Sequence, residues 1–199
     1  MEKDFKIFGI GLSKTATCSL TSLLRDGFDL NILHDPMKIH GQALSLDSLA
    51  NNNNYLEGKP QNRTIDGITD IQASILYKQL DNLYSNAKFI LTIRDEDKWL
   101  ESIYHNWSKY IGLQGQHVKR NSLRRTITLR MWETTVWSRD KILNVYRTHK
   151  NNVIDHFKSK NNLLVLNITS DPDSVSKVEN FLNKKSKIKQ VPWKNRRKT

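Results

Sequence analysis

The chain has 199 residues and carries 32 lysines and arginines against 20 aspartates and glutamates, a net charge of +12. Its single cysteine, Cys18, excludes an internal disulfide framework and fits a reducing, cytoplasmic setting. No apolar run approaches the ~20 residues that span a bilayer, and the apolar stretch after Met1-Glu2-Lys3-Asp4 is too short for a secretion signal.

The length suits one domain over residues 1–199, and five Trp, six Tyr and six Phe argue against disorder. Phe5 to Ile10, apolar except for Lys6, is read as a buried parallel strand. A helix is predicted from about Thr17 to Asp26, with Leu20, Leu23 and Leu24 on one face and Gly27 as its C-cap. Phe28 to Leu33 reads as a second strand, closed by His34-Asp35-Pro36. Met37 to Asn54 is predicted to hold a helix around Gln42 to Leu49 before four consecutive asparagines. The stretch through Gly58-Lys59-Pro60 reads as a surface loop.

Gly67 to Ile71 is a small apolar strand ending in a carboxylate, Asp70, and a helix follows from about Gln72 to Tyr84. Lys88 to Ile93 is the clearest strand, with Arg94-Asp95 at its end. Asp95 or Asp97 can cap the helix that runs to about Tyr110. Gly112 to Asn121 is a loop, and Ser122 to Lys158 is largely helical with a break near Ser138. Leu163 to Ile168 is the last strand, Ser174 to Leu182 the last helix, and a basic tail starts at about Lys184.

Strands alternating with helices predict an α/β fold. Three layers, α/β/α, enclose a mostly parallel sheet of about five strands. In such sheets ligands bind beyond the carboxyl ends of the strands. The loop at Lys14, the carboxylate of Asp70 and the guanidinium of Arg94 all follow strand ends, so one rim collects them.

The first of these is the densest motif in the chain. From Gly9 to Ser19 an apolar strand passes through a Gly/Ser bend into hydroxylated residues that open a helix. Backbone N–H groups and the positive helix end then face one point, where an anion can sit. Lys14 adds a point charge, and Thr15, Thr17 and Ser19 add hydroxyls. Lys14-Thr15 matches the end of the triphosphate loop G-x-x-x-x-G-K-[ST] only in part: Ser13 stands where the second Gly belongs, and Gly9 lies one position closer to the lysine than the first Gly should.

A kinase or NTPase with a degenerate loop therefore stays open as a reading. It needs a magnesium-binding aspartate at a strand end, which only Asp70 or Asp95 could supply. A non-catalytic binder of nucleic acid or another polyanion is the lesser alternative. Basic residues are spread from Lys98 to Arg147, and no zinc-ligand spacing, RNP-like aromatic run or basic heptad region accompanies them.

Gly11-Leu12-Ser13-Lys14-Thr15-Ala16-Thr17-Cys18-Ser19-Leu20 is similar to the phosphosulfate-binding loop of sulfotransferases, G-x-x-K-T-G-T-T-S-L. Lys88 to Ile103 resembles that family's second signature, in which a strand ends in Arg and a Ser follows eight positions later on a helix. Here these are Arg94 and Ser102. Weaker echoes run through Gly67 to Tyr84, Tyr146 to Ile168 and Val191-Pro192-Trp193-Lys194-Asn195. Two departures stand out. Ala16 replaces the loop glycine, at a cost on the order of 1 kcal/mol if the site needs a positive φ. Cys18 replaces a threonine hydroxyl.

The resemblance implies a compact sulfotransferase with a nucleotide-triphosphate-hydrolase-like fold. The implied donor is 3′-phosphoadenosine-5′-phosphosulfate, and no metal is required. A hydroxyl or amine of a small-molecule or glycan acceptor would receive the sulfuryl group. On this reading Ser13, Lys14, Thr15, Ala16, Thr17, Cys18 and Ser19 cradle the 5′-phosphate, while Arg94 and Ser102 hold the 3′-phosphate. Lys14 steadies the leaving oxygen. Asp70 is the first candidate for general base, with helix N-capping as its structural alternative, and His34 the second. His149 reads as structural, and the Trp residues at 99, 107, 132 and 137 as core or acceptor-pocket lining. Arg196 and Arg197 either close over the donor or belong to a frayed tail.

Overall fold

A computed structural model describes residues 5–39, 42–57, 64–120 and 122–193 of the chain. Its first elements are β1 (Ile7–Gly9), α1 (Thr17–Ser22) with a π-helical turn at Leu23–Gly27, and β2 (Ile32–His34). The hairpin strands β3 (Lys38–Ile39) and β4 (Gln42–Ala43) and helix α2 (Leu46–Asn51) follow. Then come β5 (Gly67–Thr69), α3 (Ile71–Leu83), β6 (Lys88–Thr92) and α4 (Glu96–Tyr110). The chain continues through α5 (Leu123–Trp132), α6 (Arg139–Phe157), β7 (Leu163–Leu166) and α7 (Ser174–Leu182).

Five parallel strands form the central sheet in the order β2-β5-β1-β6-β7. Alternate strand residues face opposite sides. Ile7, Ile32, Ile90 and Leu166 meet Leu20, Leu23, Leu24 and Phe28 on one face, with Val175 and Val178 of α7. Phe8, Ile68, Phe89 and Leu91 meet α3, α4, α5 and α6 on the other, through Leu80, Trp99, Trp132 and Phe157 among others. Helices thus cover both faces, and the three-layer α/β/α expectation holds. From the central β1 the chain winds out to β2, returns to β5, then crosses to β6. The winding direction reverses beside β1, and such a reversal opens a crevice above the carboxyl ends.

Several boundaries differ from the sequence reading. The first helix does not run regularly to Asp26 with Gly27 as its cap: it widens into the π-helical turn, and the left-handed residue is Asp29 (φ 55°). Gly27 serves a close approach instead, since a Cβ there would lie 2.5 Å from Ser186 Oγ. The second strand therefore starts late, at Ile32 rather than Phe28. The helix expected at Gln42 to Leu49 is displaced. Gln42-Ala43 pairs antiparallel with Lys38-Ile39, and Ser45 caps a helix beginning at Leu46 by accepting the Ser48 N–H at 3.1 Å. The final strand stops at Leu166, where Asn167 turns the chain by accepting the Thr169 N–H.

Elsewhere local chemistry set the ends as read. Asp95 caps α4 by accepting the Lys98 N–H at 3.1 Å, and Ser138 occupies the start of α6 at the expected break. Trp99, Trp107 and Trp132 are fully buried in the core, while Trp137 packs against it partly buried. Among the described residues no helix is long and apolar enough to cross a membrane. Lys194, Asn195, Arg196 and Arg197, and with them the tail-closure idea, lie outside the described residues.

Candidate active site

The loop after β1 is held open by a tight fit. A Cβ on Gly11 would sit 2.0 Å from Thr92 Oγ1 and 2.5 Å from the Thr92 carbonyl, so only glycine lets the loop lie against the end of β6. Thr15 N–H donates to the Leu12 carbonyl (3.2 Å), closing a turn in which Lys14 has φ 73°. Ala16 then takes the left-handed conformation (φ 72°, ψ 29°) and α1 starts with no side-chain cap. The site does need a positive φ where the family places glycine, and this chain meets it with a strained alanine.

The loop hydroxyls are committed to the protein. Thr15 Oγ1 donates to the Leu12 carbonyl (2.7 Å) and pairs with Thr92 Oγ1 (2.7 Å). Thr17 Oγ1 donates to Asp70 Oδ2 at 2.7 Å, and Ser13 Oγ donates to Asp70 Oδ1. Ser19 is buried. What the loop offers a ligand is therefore its peptide groups and the Lys14 ammonium, which among the described residues has no carboxylate partner.

Arg94 follows β6 and reaches back to this loop: its Nη1 donates to the Lys14 carbonyl at 3.3 Å. The ordinary ion pairs open to it are not made. Asp95 is spent on its cap and Asp97 faces Arg139 at 3.7 Å. Arg94 Nε is buried without an acceptor among the described residues. The Arg94 guanidinium thus lies against the backbone of Lys14, and among the described residues neither side chain has a carboxylate partner, which fits an anionic ligand. Ser102 lies half-buried on α4, and among the described residues it makes no bond back to its own helix.

Across the loop, Asp70 sits at the helix-start position of α3 but does not cap it. Its carboxylate turns instead to the two loop hydroxyls, and its backbone adopts φ 80°, ψ −156°. A non-glycine residue there stores about 1–3 kcal/mol, a strain found at functional sites. Burial pushes the Asp70 carboxyl above the usual carboxylate range, although His34 and the Ser13 and Thr17 hydroxyls oppose it. His34, at the end of β2, places Nε2 2.9 Å from Cys18 Sγ and 3.6 Å from Asp70 Oδ2. Burial lowers its pKa, but the Cys18 thiol and the Asp70 and Asp35 carboxylates outweigh burial, and the ring stands above its ordinary value.

A sulfotransferase-domain family profile matches residues 6–199. The chain belongs to the sulfotransferase family. No curated protein matches it. In this sulfotransferase the β1 loop, the strand-end arginine and the strand-end aspartate share one rim, as their positions in the sequence predicted. Cys18, at the departure from the family's threonine, faces His34.

Four contributors escaped sequence reasoning. Trp99 donates its indole N–H to the Ser13 carbonyl at 3.0 Å. Tyr146 holds the Arg94 backbone, Thr92 holds Thr15, and Gln72 donates to Asp35 Oδ1 at 2.8 Å beside His34. Each lies in a stretch that echoes the family, yet none had an assigned role there, because each acts across 37 or more residues of sequence. His149, read as structural, is so: it bonds the Ile10 carbonyl at 2.8 Å, and burial lowers its pKa.

Proposed function

We propose that the protein transfers a sulfuryl group from 3′-phosphoadenosine-5′-phosphosulfate to a hydroxyl or amine of a small-molecule or glycan acceptor. When bound, that donor supplies a sulfuryl group already joined to a good phosphate leaving group. The observation that carries the reading is the Arg94 guanidinium, 3.3 Å from the Lys14 carbonyl of the β1 loop, where among the described residues neither Arg94 nor Lys14 has a carboxylate partner and a doubly phosphorylated adenosine would span loop and arginine.

Residues Ser13 to Ser19 cradle the 5′-phosphate chiefly through peptide N–H groups, since the Ser13, Thr15 and Thr17 hydroxyls are committed elsewhere. Arg94 and Ser102 hold the 3′-phosphate, the guanidinium providing the charge-assisted bonds. Lys14 stabilises the negative charge that builds on the leaving oxygen, in the manner of phosphoryl transfer, where positioning and electrostatics dominate.

The acceptor then approaches from the β5 and β2 side, where Asp70 and His34 lie. Asp70 takes the acceptor proton, and its raised pKa makes it a stronger base than an exposed carboxylate. His34, 3.6 Å away, is the second candidate for that step.

Calorimetry with adenosine 3′,5′-bisphosphate in EDTA, with ATP–Mg²⁺ and with an oligonucleotide tests the reading. Metal-independent binding of the bisphosphate, weakened at least tenfold or about 1.4 kcal/mol in Arg94→Ala, is the expected result. Preference for ATP–Mg²⁺ would favour a kinase or NTPase, and preference for the oligonucleotide a polyanion binder. Bisphosphate release measured across a panel of hydroxylated acceptors then identifies the acceptor class.

A further inference from the structure

Two buried aromatic residues join the halves of the site without facing it. The turn Leu12–Thr15 has a positive φ at Lys14 but not at Ser13. That is the pattern of a type II turn, which differs from type I by a flip of the central peptide, here Ser13–Lys14. The carbonyl of this same peptide accepts the Trp99 indole N–H at 3.0 Å. In a trans peptide the C=O and N–H point opposite ways. Anchoring the Ser13 oxygen toward the core therefore turns the Lys14 N–H away from it.

Trp99 in turn stacks on Tyr146, with ring centroids 4.3 Å apart and planes at 27°. The Tyr146 hydroxyl accepts the Arg94 N–H (3.0 Å) and donates to the Arg94 carbonyl (2.7 Å). Arg94 Nη1 then returns to the Lys14 carbonyl, closing a circuit through Ser13, Trp99, Tyr146, Arg94 and Lys14. Trp99 is 0% and Tyr146 3% exposed, so neither can touch a ligand.

We propose that Trp99 and Tyr146 are positioning residues, a strut that holds the Ser13–Lys14 peptide flipped and sets Arg94 against the loop. The proposal rests on the donor reading above. A lysine has no intrinsic preference for φ 73°, so without the indole bond the turn relaxes toward type I. Without the Tyr146 hydroxyl, both backbone groups of Arg94 lose their partner. The Thr15–Thr92 hydroxyl pair remains as a second tie, so the effect is graded.

The test is calorimetric titration of the full chain, wild type, Tyr146→Phe and Trp99→Phe, with adenosine 3′,5′-bisphosphate and with AMP, alongside melting temperatures. The wild type is expected to prefer the bisphosphate by about tenfold or more, the contribution of the 3′-phosphate. Tyr146→Phe keeps the stack but frees Arg94. It is expected to cut bisphosphate affinity about tenfold while AMP affinity falls less than about threefold. Trp99→Phe acts on the loop and is expected to weaken both ligands by a similar factor.

A mere packing role would lower the melting temperature of Tyr146→Phe and leave the ratio of the two affinities unchanged. That result overturns the proposal. Tyr146→Phe decides alone if Trp99→Phe does not fold. A wild type that binds both ligands equally would instead refute Arg94 as a phosphate ligand, and the strut's purpose with it.

Discussion

Replacing Ala16 by glycine should stabilise the protein, although glycine usually weakens a fold. Ala16 sits at φ 72°, ψ 29°, immediately before α1. Removing its Cβ relieves about 1–2 kcal/mol of left-handed strain. Against this, the unfolded chain gains freedom worth about 0.4–1 kcal/mol, and the half-buried methyl forfeits about 0.4 kcal/mol of burial. The balance favours glycine by about 0.4 kcal/mol, roughly 1 °C in Tm for a chain of this size.

The control is Ala73→Gly, the same methyl removed from the fully buried interior of α3. There it loses about 1 kcal/mol of helix propensity and about 0.8 kcal/mol of burial. Urea unfolding followed by tryptophan fluorescence should separate the two variants by about 2 kcal/mol, with opposite signs relative to wild type. If both variants destabilise to the same extent, Ala16 is not strained and the account of the loop fails.

Two buried carboxylates should give opposite pH slopes. Asp81 is desolvated, but bonds from Lys160, His156 and Asn162 outweigh burial and hold its carboxyl below the ordinary 3.8. Its stabilisation is therefore full above that value and lost as pH falls through the lower folded value. Asp81→Asn should cost about 2 kcal/mol at neutral pH and remove part of this acid-side slope, measured by urea unfolding at several pH values. Asp70 is raised by burial, so its contribution is present below 3.8 and lost as pH rises through the higher folded value. Asp70→Asn should flatten that limb without lowering neutral stability, and should slow transfer about 10²–10⁴-fold. Bisphosphate release with a productive acceptor measures the second effect, and undiminished turnover would pass the role to His34.

The elements that formed where the residues placed them were those with strong local signals. Ser122 and Asp95 supply caps, and the run Lys88 to Thr92 can only be a buried strand. The early segments departed because distant contacts outweighed local preference. Gly27 looked like a C-cap, yet the tail at Ser186 packs onto it and moves the left-handed residue to Asp29. Asp70 looked equally like a cap or a base. Its carboxylate found two hydroxyls from the loop, a choice invisible without knowing that β5 lies beside β1.

By itself the sequence determined the layer order, the rim and the residues that end its strands, because hydrophobic period and turn chemistry act within a few positions. Its motifs also carried the family. Only the tertiary structure decided what those residues touch. The Trp99 indole lies 86 residues from Ser13, and the Tyr146 hydroxyl 52 from Arg94. Contacts of that span depend on how whole helices pack on the sheet, and no local pattern records them.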